Sequence, residues 1–343
     1  MDARYLPLGI ARQRGVTLTE LMIALVLGAI VVLAATAMVV TSRGIYRSQD
    51  EGTRLAESAR FGLELSNRMV RLAGYTNFGD DQYPPASYTP DATWALDSYA
   101  LNGPDIVGSN NSKPTSGAAI NGSDSLTIRY FGASTTAGVA DGNVLDCAGF
   151  GVPQPIYDPT KDVPKVYRES RAYNVLFVDT DVDGEPALKC RRQTYDAAGV
   201  PSGLPGDTQT LIRGVESFQV LYGEALPQPG PNNDLDSFAP QSLVYRSGIG
   251  GPNPVTNWNN VITVRIAMLL RSATGARPDV EDTSTVYHLF GALYPAGGDP
   301  GADFSLSALS ASERTRVRRV VETTVFVRNR LASWPSLDDI NLN

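Results

Sequence analysis

Residues 16–40 read VTLTELMIALVLGAIVVLAATAMVV, and this stretch decides the architecture of the chain. Its 25 residues carry one ionisable side chain, Glu20. As an α-helix the stretch would be about 37 Å long, enough to cross the hydrocarbon core of a bilayer with some tilt. We therefore predict a transmembrane segment over 16–40.

The residues before this segment set its orientation. Arg4, Arg12 and Arg14 keep the short N-terminal segment cytoplasmic by the positive-inside rule, which sends the body of the chain outward. Gly15 ends the basic stretch directly before the apolar run, whereas a secretory signal peptide is cut after its apolar region. Placing a charged carboxylate in an apolar membrane helix costs about 2.5–3.5 kcal/mol of insertion free energy. We therefore expect Glu20 to have a functional role. The alternative is a plain signal anchor whose Glu20 reaches the membrane surface.

The apolar pattern continues beyond the membrane segment. One stripe recurs at three- and four-residue steps, and the sequence after it reads Ala73-Gly74, where glycine suits the end of a helix. We predict one helix from about Thr17 to Ala73, whose first half is membrane or filament core and whose second half packs on a globular domain. The stripe consists of Leu55, Ala59, Gly62, Leu65, Met69 and Leu72.

The rest of the chain is typical of a β-rich body, because it is rich in Gly and Pro and alternates in several short runs. In the clearest run, Ile262 to Leu270 at every second position face inward, while Thr263, Arg265 and Ala267 face outward. We predict loops over 75–122, 226–260 and 295–312. The predicted strands are Ser125–Phe131, Tyr173–Asp179, Ala187–Arg192, Val215–Tyr222, Asn260–Leu270 and Arg319–Arg328.

The fold class is therefore α+β, with a long N-terminal helix docked on a β-rich globular domain. We expect three parts: a leader peptide over 1–15, the helix over 16–73 and the globular domain over 74–343.

The N-terminus resembles the class III signal of type IV prepilins and type II secretion pseudopilins, because RQRG is followed by VTLTELMIAL. The resemblance implies that a prepilin peptidase cuts between Gly15 and Val16 and methylates the new amine of Val16. Most members of the family have Phe where this chain has Val16. Glu20 matches the family's conserved acid, and a buried carboxylate of this kind would pair with the N-terminal amine of a neighbouring subunit during assembly.

Further runs along the chain resemble the PilW-like minor pilins in particular. The resemblance implies a lollipop-shaped pilin that co-assembles with other minor pilins and the major pilin to initiate or cap a type IV pilus. Twitching motility, adhesion or DNA uptake would follow from the whole machine. The runs are MVRLAGY (69–75), SDSLTIRY (123–130), GEPALKC (184–190), IRGVESFQVLYG (212–223), WNNVITVRIAMLLRS (258–272) and VRRVVETTVFVRNR (317–330).

The same resemblance implies a location. The subunit would be a single-pass protein of the inner membrane with a periplasmic body, and would reach the cell surface in the pilus. Two other functions stay open: a minor pseudopilin of type II secretion, of the J type, and a membrane-anchored adhesin or calcium-dependent binding domain.

The chain has two cysteines, Cys147 and Cys190, which lie 43 residues apart. An even number of cysteines in an exported domain indicates a disulfide. Two free buried thiols are the alternative interpretation.

The run Asp179-Thr180-Asp181-Val182-Asp183-Gly184 matches the first half of a calcium-binding EF-hand loop. However, Cys190 occupies the position of the bidentate glutamate that closes such a loop, and the flanks resemble strands. We prefer an Asp-Gly hairpin turn between two strands, and keep calcium bound by Asp179, Asp181 and Asp183 as the alternative.

The remaining charges and the single histidine argue against other classes of function. The net charge is −7, so direct contact with nucleic acid is not expected. The basic C-terminal cluster is predicted to pair with nearby acids or with a partner pilin, and contact with DNA phosphates during uptake is the alternative. The cluster consists of Arg314, Arg316, Arg318, Arg319, Arg328 and Arg330. His288 lies in an apolar run and is predicted to be a core residue. No set of catalytic groups converges in the sequence, so we do not predict an enzyme.

Overall fold

The computed structural model describes residues 15–75, 104–136, 139–154, 172–192, 207–226, 242–277, 279–294 and 297–329. These residues form one long helix, two large antiparallel sheets and a small two-stranded ribbon. Residues 1–14 of the predicted leader and Arg330 lie outside the described part.

The elements follow one another in an α-then-β order. They are α1 (Leu18–Leu72), β1 (Ile106–Ser109), a 3-10 turn (Ile120–Gly122), β2 (Ser125–Tyr130), β3 (Ala172–Thr180), β4 (Pro186–Arg192), β5 (Asp207–Arg213), β6 (Val215–Leu226), β7 (Ser242–Arg246), a 3-10 turn (Trp258–Asn260), β8 (Val261–Gly275), β9 (Val286–His288), β10 (Asp303–Ser305), α2 (Ala311–Arg314) and β11 (Arg316–Phe326).

Helix α1 spans 55 residues without a break, with Thr17 as its N-cap and Ala73 as its C-cap. Its apolar first half contacts nothing else in the described chain, and an 18-residue window there has a mean hydropathy of 2.8. By length and composition this part of α1 suffices to cross a membrane. Its second half is amphipathic and buries the predicted stripe, from Leu55 to Met69, against the two sheets. The helix prediction is confirmed.

At Gly62, α1 packs closely against both sheets. A Cβ atom added at Gly62 would lie 2.6 Å from the Cδ1 atom of Ile212 in β5 and 3.2 Å from the Cε atom of Met268 in β8. Both atoms are the ends of flexible side chains, so a larger residue at Gly62 requires these two side chains to shift.

The first sheet is a five-stranded antiparallel meander in the order β1-β2-β3-β4-β5. β2 is buried on both faces. On one face Leu126, Ile128 and Tyr130 join the core under α1. On the other face Arg129 stacks over the ring of Tyr173, 5.2 Å from its centroid. The sequence analysis predicted this strand but missed β1, which lies in the predicted loop 75–122, and the polar strand β5.

The second sheet has the order β11-β8-β6-β7 and places the longest strand, β8, at its centre. Val264, Ile266, Met268 and Leu270 face the core under α1, as predicted. The predicted exposure of Thr263 and Ala267 is wrong, since both are buried.

The outer face of the second sheet is covered by the ribbon of β9 and β10 and its loops. Leu289, Phe304 and Leu306 pack there against Ala267 and Leu269 of β8 and form a second apolar cluster. The prediction for His288 is also wrong: its side chain is 40 % exposed and contacts Asp303, because Leu289 and not His288 enters this cluster. β7 and β10 lie within two of the predicted loops.

Candidate functional site

The start of α1 carries three of the predicted site residues, Gly15, Val16 and Glu20. The backbone amide of Thr17 donates a hydrogen bond to Glu20 Oε2 at 3.0 Å, and the Glu20 amide donates to Thr17 Oγ1 at 3.3 Å. This reciprocal pair is a capping box, which satisfies two backbone donors at the beginning of the helix. The sequence analysis missed this capping role of Glu20, although the Thr-x-x-Glu spacing signals it.

This end of α1 is exposed and stands apart from the globular domain. Val16 is 72 % exposed, and within the described residues the Glu20 carboxylate forms hydrogen bonds with Thr17 and no ion pair. The geometry therefore leaves the carboxylate accessible to a cation supplied from outside the chain.

Cys147 and Cys190 form the predicted disulfide, with their Cα atoms 6.1 Å apart. Cys190 lies on β4, and Cys147 belongs to the segment 139–154 that packs over the first sheet. The neighbouring Asp146 binds Arg192 at 3.0 Å, and its carbonyl oxygen accepts a hydrogen bond from Arg68 of α1. The bridge and these bonds hold the segment to both the sheet and the helix.

The acidic run forms the tight turn between β3 and β4, as the preferred interpretation predicts. Thr180 pairs with Pro186 at the base of this hairpin, and Gly184 adopts a positive φ of 82° that glycine accommodates without strain. Asp179 accepts hydrogen bonds from Lys113 Nζ and Thr115 Oγ1, both at 2.8 Å.

The other two aspartates of the turn pair with one arginine. Arg213 contacts Asp181 at 2.9 Å and Asp183 at 3.1 Å. Burial raises the pKa of Asp179, but the hydrogen bonds from Lys113 and Thr115 outweigh it, so that pKa lies below its ordinary value. The three carboxylates thus face two different cations, and no group of three or more His, Cys, Asp or Glu side chains converges as a metal site among the described residues.

Two of the C-terminal arginines, Arg316 and Arg318, pair with acids. Arg316 Nη1 lies 2.9 Å from a carboxylate oxygen of Glu185, which precedes β4, and Arg318 Nε lies 2.7 Å from Glu216 of β6. Arg271 of β8 contacts both glutamates, at 2.6 Å and 2.9 Å. The five side chains form a continuous network between the two sheets. Two members of the predicted basic cluster are therefore structural ion-pair partners.

A second polar group, absent from the sequence predictions, is the buried Asp124 at the start of β2. Its two carboxylate oxygens accept hydrogen bonds from the amides of Asn111 and Val220, at 3.0 Å and 2.9 Å. Burial raises the pKa of Asp124 well above its ordinary value, and the nearby Asp299 acts in the same direction. These bonds fix the start of β2 to β6, so we interpret Asp124 as a structural residue.

Comparison with known protein families finds two matches along the chain. Residues 175–329, from β3 through β11, match the family described as Type IV Pilus-assembly protein W. Residues 10–36 match the prokaryotic N-terminal methylation motif. Together the two matches support a PilW-like type IV pilin. No curated protein and no solved structure matches it.

The two matched ranges of this PilW-like pilin correspond to the two features described above. The methylation motif covers Gly15, Val16 and Glu20 together with the exposed apolar part of α1. The PilW range covers the acidic turn and all five members of the ion-pair network between the sheets. The sequence offered no signal for this network, since its partners are up to 131 residues apart.

Proposed function

We propose that this PilW-like pilin is a minor pilin that co-assembles with other minor pilins and the major pilin to initiate or cap a type IV pilus. The observation that carries the proposal is the division of α1. One half packs an apolar stripe against the globular domain, and the other is apolar and touches nothing in the described chain. Such a surface needs lipid around it before assembly and neighbouring helices afterwards.

The N-terminal motif supports a specific order of events. A prepilin peptidase cuts between Gly15 and Val16 and methylates the amine of Val16, while the subunit is held in the inner membrane with its body in the periplasm. The Glu20 carboxylate then pairs with the N-terminal amine of a neighbouring subunit as α1 leaves the lipid. In this proposal the chain acts as a structural subunit and not as an enzyme, and twitching, adhesion and DNA uptake belong to the assembled pilus.

Mass spectrometry of sheared pili and of the membrane fraction tests this proposal. We expect peptides of this chain in sheared pili in amounts far below those of the major pilin, with a methylated Val16 as the first residue. Deleting the chain should lower the number of pili. An N-terminus beyond residue 40, or a chain absent from sheared pili, would contradict the proposal.

The PilW match favours a pilus over type II secretion, where a J-type pseudopilin has a similar leader. A deletion that leaves pili intact but blocks protein secretion would reverse this preference.

A further inference from the structure

The turn of α1 that directly follows the apolar run carries two arginines and a tyrosine. We call Arg43, Tyr46 and Arg47 the juxtamembrane cluster. The arginines lie four residues apart and Tyr46 lies three residues after Arg43, so the three side chains share one face of the helix. All three are exposed, Tyr46 to 73 %. This part of α1 therefore presents two cations and an aromatic ring outward.

The two arginines of the juxtamembrane cluster have no partner within the described chain. No ion pair or hydrogen bond between described residues involves the side chain of Arg43 or Arg47. The acids that follow them are Asp50 and Glu51, and Asp50 binds Arg54 at 3.1 Å. Arg47 precedes Glu51 by four residues, which is the weaker of the two orientations for an ion pair along a helix. Both positive charges are therefore available to a partner outside the chain.

The length of the apolar run sets the depth of the cluster in a bilayer. A helix of these 25 residues is about 37 Å long, and it fits a hydrocarbon core of about 30 Å when it tilts by about 35°. Each residue after Val40 then rises about 1.2 Å along the membrane normal. Arg43 lies about 4 Å outside the core and Arg47 about 8 Å, within or at the edge of a polar head-group layer about 5–8 Å thick. Asp50 lies about 12 Å outside the core, beyond that layer.

The side chains of the cluster suit this depth. Arginine donates paired hydrogen bonds to phosphate oxygens, which makes it well suited to bind a phosphodiester head group. Tyrosine is enriched where the hydrocarbon core meets the polar layer, because its ring is apolar and its hydroxyl is polar. Cationic side chains next to a membrane helix are attracted by anionic lipids. The cluster thus combines a phosphate-binding pair with an interfacial ring.

The side of the membrane makes the two arginines informative. Positive charges that follow the apolar run weaken the charge asymmetry by which Arg4, Arg12 and Arg14 orient the chain. Arg43 and Arg47 therefore contribute nothing to the insertion of α1 in the proposed direction. Their placement at head-group depth needs another explanation.

We propose that the juxtamembrane cluster binds the phosphate groups of anionic phospholipids in the periplasmic leaflet of the inner membrane. This inference rests on the proposed function, because it requires α1 to be inserted with the body of the chain in the periplasm. It adds the chemical class of lipid that the subunit recruits. The guanidinium groups of Arg43 and Arg47 bind the phosphates, and Tyr46 lies beside the glycerol region of the same lipids.

Charge argues against a second copy of the chain as the partner of the cluster. Copies inserted with the same topology present the same two cations at the same depth, so they repel one another there. The acids closest in sequence, Asp50 and Glu51, lie beyond the head-group layer in every copy. Anionic lipid is the partner whose charge and depth both match.

The double variant Arg43→Gln/Arg47→Gln tests the proposal in the full chain. Losing positive charges on the periplasmic side strengthens the orienting asymmetry, so this variant should insert as well as the wild type does. The matched control is Arg60→Gln/Arg71→Gln. It removes two exposed arginines from the same helix at positions about 24 Å or more beyond the core, out of reach of the head groups.

Native mass spectrometry of each chain released from nanodiscs measures the bound lipids. The nanodiscs contain equal amounts of phosphatidylglycerol, which is anionic, and phosphatidylcholine, which has no net charge. We expect more phosphatidylglycerol than phosphatidylcholine on the wild type, and a ratio at least threefold lower on Arg43→Gln/Arg47→Gln. The control variant should keep the wild-type ratio, and any leader arginines add the same background to all three chains.

Three results would overturn the inference. They are a wild type without enrichment of phosphatidylglycerol, an equal fall in both variants, and a protein dimer that only Arg43→Gln/Arg47→Gln dissociates while the bound lipids stay the same. Each of them leaves the proposed function standing as long as the wild-type chain is recovered in the nanodiscs. A wild-type chain that does not enter the nanodiscs would overturn both.

Discussion

Glu216 is the residue on which the buried charge network depends most. Its carboxylate is almost fully buried and binds Arg318 at 2.7 Å and Arg271 at 2.9 Å. The Arg318 side chain has no exposed surface, so it has no access to water if its partner is lost. We expect Glu216→Ala to lower the free energy of unfolding by about 3–5 kcal/mol, because it strands a buried charge.

Glu322→Ala is the matched control for this prediction. Glu322 also pairs with an arginine, Arg265 at 2.8 Å, but its side chain is 47 % exposed. Such a surface pair contributes about 1 kcal/mol or less. Urea unfolding of the detergent-extracted chain measures the free energy of unfolding of both variants. Equal losses of stability would contradict the claim that the buried pair stabilises the protein more than the exposed pair.

The aspartates of the β3–β4 turn lead to a prediction about calcium. Asp181 and Asp183 already share Arg213, and Asp179 binds Lys113, so a cation would have to displace these partners. We expect the melting temperature to stay the same when calcium is added and when a chelator is added. A clear rise with calcium that Asp181→Ala abolishes would establish the alternative, a calcium site.

At the scale of elements, Glu185 joins the first sheet to β8 and β11 through Arg271 and Arg316. Burial raises the pKa of Glu185, but the hydrogen bonds from the two arginines outweigh it, so the folded-state pKa lies below the ordinary 4.5 of a glutamate. A lowered folded-state pKa adds stability that is complete above the unfolded pKa and disappears as the pH falls through the folded pKa.

Comparing the wild type with Glu185→Gln across pH tests this connection. We expect the difference in their free energies of unfolding to be constant near neutral pH and to shrink as the pH drops below about 4.5, where the glutamate begins to take up a proton in the unfolded state. A difference that grows on acidification would contradict the direction of the pKa shift.

The disulfide secures the segment 139–154 to β4. Replacing both Cys147 and Cys190 by serine should lower the free energy of unfolding by about 2–4 kcal/mol. The bridge closes a loop between residues that are 43 positions apart, and this loop gains conformational freedom in the unfolded chain when the bridge is removed. The reduced wild type is the control and should show a similar loss. Two reactive thiols in the denatured, exported wild-type chain would contradict the bridge.

Elements with a strong periodic signal could be predicted from the sequence, and elements defined by their neighbours could not. α1 was predicted to within a residue at each end, and β8 and β11 were found because Val264 to Leu270 and Val321 to Val327 alternate. β1, β5 and β7 were missed, since IVGS, DTQTLIR and SLVYR are short or polar and become strands only by pairing. The burial of Ala267 was missed because the covering ribbon comes from a distant part of the chain.

The candidate site shows the same division. Gly15, Val16 and Glu20 belong to a local motif that the sequence shows directly, and the hairpin at Asp179 to Gly184 was predicted from its Asp-Gly turn. The network around Glu216 depends on contacts between distant residues. Only the structure brings these residues together.

At the scale of the whole molecule, α1 has two surfaces with different partners. Leu55 to Val70 are bound by the chain's own sheets, while the part before Val40 contacts nothing else in the described chain and is proposed to contact lipid and other subunits. Glu20 lies at the far end of this free surface, where it serves the capping box within the chain and is proposed to serve assembly between chains. These two roles can be separated by mutation.

The central claim is that this PilW-like pilin enters the filament through the charge of Glu20. Glu20→Gln removes the charge but keeps a side chain that suits the capping box, and Thr17→Ala breaks the capping box but keeps the charge. The measurement is the ratio of each variant in sheared pili to that in membranes. We predict a clear fall for Glu20→Gln and a near wild-type ratio for Thr17→Ala. An unchanged ratio for Glu20→Gln would contradict the claim.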